Sequence, residues 1–192
     1  MIYTDMMNEI SFAITPSPET NDHEVRILID GEDWLGEDQM GMDPPELFRQ
    51  ISECNTGKLL VGRCHCGVVG CGDLYVYVTR DESTVRWQVS DTQSFRFGRI
   101  DYNETIERLL NDDSWEDINR RVERLIEKQF FDTKIDDELD FRWASARIKA
   151  NVIHLSYANG SEQRLLEFNW DGETEESALK RARSFRRERF PD

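Results

Sequence analysis

Tyr75-Val76-Tyr77-Val78-Thr79-Arg80-Asp81-Glu82-Ser83-Thr84-Val85-Arg86-Trp87-Gln88-Val89 places β-branched and aromatic residues on both sides of a polar turn. Alternation of this kind is the period of a half-buried strand, and these residue types fit a pleated surface. The turn at Arg80-Asp81-Glu82-Ser83 is short, so the two arms read as an antiparallel hairpin. Antiparallel pairing at the centre of the chain sets the expectation for the rest. Phe95 and Phe97 add one further short strand.

The same period recurs toward both ends. Ile10, Phe12 and Ile14 alternate with polar residues, as do Val25, Ile27 and Ile29, with a loop at residues 15–22 and a turn at Asp30-Gly31. Near the C-terminus, residues 142–149 lead to Val152-Ile153-His154-Leu155-Ser156-Tyr157. Asn159-Gly160 is a hairpin turn signal, and Arg164 to Phe168 returns as a strand. Helical signals lie between. Asp43-Pro44-Pro45-Glu46 predicts a helix start, with Asp43 as cap and Leu47, Phe48 and Ile51 turned inward. Asp101-Tyr102-Asn103-Glu104 and Ser114-Trp115-Glu116-Asp117 have the form of capping boxes. The second opens a helix with Ile118, Val122, Leu125 and Ile126 on one stripe and Arg120, Arg121, Glu123 and Arg124 on the solvated side. Thr174 caps a last helix, with Glu175 and Glu176 in its first turn and Ala178, Ala182 and Phe185 facing inward. Asp132 to Asp140 lacks the glycine and ligand spacing of a calcium loop and reads as a solvated charged loop. The expected fold is α+β: antiparallel β hairpins form one or two sheets with three or four packed helices. One domain spans 1–192, with 141–192 as a sub-unit of hairpin plus C-terminal helix.

The chain has 192 residues, with 24 Lys+Arg against 39 Asp+Glu and a net charge of −15. No apolar run reaches the roughly 20 residues of a membrane-spanning helix. Net negative charge disfavours a phosphate backbone, so nucleic acid is not expected as a partner. It steers the protein toward a basic partner. The residues after Met1 show no basic segment followed by an apolar stretch, so the expected compartment is the cytoplasm, of bacterial type. One segment runs against the acidity. Lys180, Arg181, Arg183, Arg186, Arg187 and Arg189 outnumber the acids of the last helix, and Arg183 and Arg187 are its candidate partner-binding residues. The alternative for this face is packing on the acidic body of its own fold.

Gly62-Arg63-Cys64-His65-Cys66-Gly67-Val68-Val69-Gly70-Cys71-Gly72-Asp73 concentrates the chain's unusual chemistry. Three readings stand. As a zinc site, Cys64, Cys66 and Cys71 are ligands, with His65, Cys54 or His154 as the fourth, although C-x-C-x4-C is not the paired C-x2-C spacing. As a redox or nucleophilic site, His65 lowers the pKa of a neighbouring thiol. As a structural element, the cysteines are buried as compact apolar groups and the glycines allow a sharp loop. The structural reading asks for least and is preferred. No phosphate-binding, hydrolase or zinc-protease motif is present. His23 lies in a loop, and His154 lies on the opposite strand face from Ile153 and Leu155.

The run Cys64-x-Cys66-Gly67-x-x-Gly70-Cys71-Gly72, then a strand, Val85-x-Trp87, Phe95-x-Phe97 and Tyr102, resembles an uncharacterised family of bacterial proteins. In that family a Cys/Gly-rich loop precedes a strand ending in Trp. The resemblance covers about residues 25–130. It implies a bacterial, cytoplasmic protein whose loop is part of the fold, and it transfers no activity. The expected function is that of a non-enzymatic, acidic protein-interaction module of immunity or antitoxin type. The alternatives are a zinc-binding module using the Cys64–Cys71 loop, or a thiol enzyme.

Overall fold

A computed structural model describes residues 7–17, 22–66, 70–136 and 138–190. Four helices and three antiparallel sheets are found among them, so the class is α+β with three sheets where one or two were expected. The chain divides into two compact units, Met1–Trp115 and Glu116–Asp192. The break falls well before residue 141. The helix that precedes the C-terminal hairpin buries its apolar stripe in that hairpin's core, and so belongs with it.

In the first unit, β1 (Ile10–Pro16) pairs with β2 (His23–Ile29), which pairs with β3 (Glu32–Asp33). The alternating residues named above fall in register, Ile10 opposite Ile29 and Ile14 opposite Val25. The second sheet has the order β4-β5-β6-β7-β8, from β4 (Met40–Gly41), β5 (Gly57–Arg63), β6 (Leu74–Arg80), β7 (Thr84–Gln88) and β8 (Ser94–Gly98). The central hairpin forms as read, with Val78 opposite Trp87. Asp81 holds its turn by accepting from Ser83 N–H, Thr84 N–H and Thr84 Oγ1 at 2.8, 2.7 and 2.6 Å. Two helices belong here, α1 (Pro44–Glu53) and α2 (Arg99–Leu110). Leu47, Ile51, Tyr102, Ile106 and Leu109 join the strands' core around Trp87 and Phe97.

Both helix starts differ from expectation. Asp43 stands at the N-cap of α1, but its side chain makes no capping bond. Prolines at the first two positions remove two of the donors a cap would satisfy. Glu46 bonds to Arg49 and Gln50 instead. Helix α2 opens at Arg99, two residues before Asp101, because β8 runs straight into it; Arg99 N–H is satisfied by the Ser83 carbonyl at 2.9 Å.

In the second unit, α3 (Ile118–Phe130) precedes a sheet of order β12-β11-β10-β9, from β9 (Lys134–Ile135), β10 (Leu139–Lys149), β11 (Val152–Ala158) and β12 (Gln163–Asn169). Helix α4 (Glu175–Arg189) closes it, with Ala178 and Ala182 fully buried. Part of the acidic stretch is thus a short strand pairing, with Asp132 bound to Arg186 and Asp136 to Arg164. Asp137 lies outside the described residues. The cap of α3 is Asp117, accepting from Arg120 N–H at 2.8 Å, while the Ser114 hydroxyl donates to Asp112. Thr174 caps α4 as expected.

Two charged residues assigned to the solvated side of α3 are buried: Glu123 is 4% exposed and Arg120 8%. Glu123 lies three residues before Ile126 and seven before Phe130, which puts it on the core face of a 3.6-residue helix. Its carboxylate accepts from Ser145 Oγ, Ala146 N–H and Arg147 Nε at 2.8–3.0 Å and meets Arg120 at 3.4 Å. The contact falls where β10 breaks register, between Ser145 and Lys149. One carboxylate thereby satisfies the backbone that the bulge leaves unpaired.

Two outcomes follow from this network and from the start of α4. Glu123→Gln removes the buried carboxylate charge that Ser145, Ala146 and Arg147 donate to and that Arg120 meets, and lowers the urea-unfolding free energy of the second unit by about 3 kcal/mol. Asp171 accepts from Glu173 N–H, Thr174 N–H and Thr174 Oγ1, and these bonds, the Thr174 hydroxyl first, hold its carboxyl at about 2 against an ordinary 3.8. A carboxyl depressed in the folded state stabilises above its unfolded value and loses that contribution as pH falls through the folded one. The difference in melting temperature between wild type and Asp171→Asn is therefore full at pH 6 and shrinks between about pH 4 and pH 2.

Candidate metal centre

The Cys/Gly loop connects β5 to β6, two neighbouring antiparallel strands, so its ends are held together at a hairpin neck. Asp73 is the tie at that neck. Its side chain is 7% exposed and lies 3.8 Å from Arg63 Nε. Asp73 Oδ2 accepts from Gly70 N–H at 3.2 Å and from the Tyr75 hydroxyl at 3.1 Å. That bond to a carboxylate raises the Tyr75 phenol above its ordinary value. Gln39, with its NH2 turned toward the neck, meets the Arg63 and Gly72 carbonyls at 3.1 and 3.3 Å. Residues 67–69 lie outside the described part of the loop.

Within this frame the sulfurs of Cys64, Cys66 and Cys71 all lie within 4.8 Å of one another. Cys64 and Cys66 are closest, at 2.6 Å, and all four cysteines of the chain are free thiols. Gly72 permits the convergence. It has φ +67°, a region costly for side-chain-bearing residues, and a Cβ there would stand 3.1 Å from Cys64 Cβ. Cys64 is half-buried, whereas Cys66 and Cys71 are exposed. The expectation of cysteines buried as apolar filler is therefore overturned: Cys66 and Cys71 are open to solvent beside the half-buried Cys64. The Cys71 thiol is pushed up to about 11. Cys66 and then Cys64 hydrogen-bond to it, and negative charge on those sulfurs opposes its ionisation. Three thiolates this close repel one another unless a cation sits among them.

The other residues named from the sequence lie elsewhere. His65 Nε2 is 2.5 Å from the Glu37 carbonyl; since a carbonyl only accepts, that nitrogen carries the proton and donates. Cys54 ends α1 and packs against the first core. His154 is buried on β11, with Nε2 3.4 Å from Glu167. Every residue from Val152 to Tyr157 is buried, so this strand is covered on both faces rather than alternating. Arg183 and Arg187 are exposed on α4, while Arg186 is engaged with Asp132 and the Gln129 carbonyl. Sequence reasoning passed over Gln39, Asp73 and Tyr75, which hold the loop without carrying metal chemistry. Asp73 directly follows the last glycine of the motif, and that adjacency was the one available signal.

No helix among the described residues is long and apolar enough to cross a membrane. Comparison with protein-family models, with curated proteins and with solved structures finds no match. The chemistry of the site thus rests on its own geometry.

Gly72→Ala tests the loop directly. A left-handed residue with a side chain costs about 1–3 kcal/mol, and urea denaturation of the first unit is expected to register that loss.

Proposed function

We propose that the chain is a cytoplasmic, non-enzymatic metal-binding module in which Cys64, Cys66 and Cys71 hold one zinc ion. A single observation carries this reading: three soft donors, two of them exposed, converge on one point in the connection between β5 and β6. Thiolates at about 2.3 Å from a tetrahedral zinc sit about 3.8 Å apart. The observed cluster brackets that spacing, with Cys64 and Cys66 at 2.6 Å and all three sulfurs within 4.8 Å of one another. Thiolate donors select zinc over calcium or magnesium, which prefer oxygen.

The described residues supply three donors to the cluster, which leaves one tetrahedral position. Closed structural zinc sites use four protein ligands, whereas an open position takes water or an incoming group. Asp73, Tyr75 and Gln39 act as supports. They fix the neck so that the sulfurs need not be gathered from a floppy loop when the ion arrives.

The test is a titration of reduced, metal-free protein with zinc against a chromophoric chelator. One equivalent is expected to bind, and cobalt in its place is expected to give an intense thiolate-to-metal charge-transfer band. Cys66→Ser or Cys71→Ser is expected to weaken binding by more than the roughly 10–100-fold that loss of a supporting group costs. Cys54→Ser is expected to leave it unchanged. Binding that survives Cys66→Ser and Cys71→Ser, or no binding at all, overturns the proposal.

A further inference from the structure

The edge of the three-stranded sheet carries an observation that the metal site does not use. β1 pairs with β2 on one side, and among the described residues no strand pairs with its other side. In an antiparallel pair, alternate residues turn their backbone N–H and C=O toward the partner strand. The Glu9 carbonyl accepts from Asp30 N–H, so odd-numbered residues face β2 and Ile10, Phe12 and Ile14 turn theirs outward. Asn8 is in the outward phase too. Its N–H donates to the Arg96 carbonyl on β8 at 2.6 Å, and its side-chain oxygen accepts from Arg96 N–H at 3.0 Å. Past that contact no further backbone bond joins β1 and β8 among the described residues. Helix α2 follows β8, and a groove of about 730 Å³ lies between β1 and α2.

The groove is amphipathic. Ile10, Phe97, Tyr102 and Leu109 line it and are nearly buried, forming an apolar floor. Glu9, Asp101, Glu104 and Asp112 line it as well, with Arg108 the single base among the lining side chains. Among the described residues, none of these four acids is in an ion pair. Three features therefore coincide: a strand edge with outward backbone groups, an apolar floor and uncompensated negative charge.

We propose that this groove takes an extended, basic segment of a partner protein by strand addition to β1. The added strand would bond to the outward backbone of Ile10, Phe12 and Ile14. Its apolar side chains would reach the floor at every second position, and its Lys or Arg side chains would meet the acids. Charge complementarity selects this occupant over a second copy. The sequence of β1, Ile-Ser-Phe-Ala-Ile-Thr-Pro, brings no cation to its own acidic groove.

The probe is a fluorescein-labelled peptide alternating Lys and Val, with a Glu-for-Lys counterpart, read by fluorescence anisotropy at physiological salt. The Lys peptide is expected to bind and the Glu peptide not to. Asp101→Lys with Glu104→Lys is expected to weaken binding by about tenfold or more, against less than about twofold for Glu173→Lys with Glu176→Lys, an equal charge change on exposed acids of the second unit. Amide exchange on the wild-type chain gives a readout independent of any variant. Ile10, Phe12 and Ile14 are expected to exchange fast in the free protein and slowly with peptide bound. Equal weakening by the two double variants would reduce the binding to bulk charge and overturn the proposal. So would the absence of slowing at those three amides. Protection already present in the free chain, or growing with protein concentration, would show the edge covered by its own chain or a second copy, and would overturn it too.

Discussion

The indole of Trp87 carries one N–H into an apolar core, and that donor must be satisfied. Tyr102 supplies the acceptor at 3.1 Å, with both residues almost wholly buried. An unmet buried donor costs about 1–3 kcal/mol, so the bond fixes how α2 lies on the five-stranded sheet. Burial, foremost, pushes the Tyr102 phenol up to about 12, which keeps it neutral at any physiological pH. Phe97 meets the Trp87 indole edge to face and lies tilted against the Tyr102 ring, and Trp34 and Phe95 extend the aromatic cluster. The groove beside α2 and the strands that end in the cysteine loop both take their position from this core.

Much of the first unit was legible because its strands are half-buried. A strand with one dry and one wet face writes its period into the sequence, and Ile10, Phe12 and Ile14 opposite Val25, Ile27 and Ile29 are an instance. The strand Val152–Tyr157 was legible as a strand but not as a doubly covered one, since two buried faces leave no polar alternation to read. Helix ends were less legible. Asp, Ser and Glu are so common in an acidic chain that capping patterns arise by chance; Ser114 has the pattern while Asp117 does the capping. Glu123 hid for the opposite reason. Its phase on the helix places it inward, but a charged residue reads as solvated until the bulged strand it serves is known.

The cysteine cluster shows what spacing can and cannot say. C-x-C-x4-C names the donors, but whether they meet depends on the hairpin neck, on Gly72 and on Asp73, none of which is itself a ligand type set by the motif. The sequence also left exposure open, and exposure separates a packing role from a chemical one. Cysteine is among the residues most often buried. Two exposed thiols beside a third are therefore more informative than three cysteines in a row of sequence.

The open edge of β1 has a second consequence, for solubility. A strand with unpaired backbone groups is a template on which identical chains can grow. The carboxylates around it act as gatekeepers, because two copies approaching edge to edge would bring like charges together in a partly dry groove. Acidity here does colloidal work, whatever else it attracts. Exchanging Glu9, Asp101 and Glu104 for their amides would remove that repulsion and leave the edge free to stack on itself.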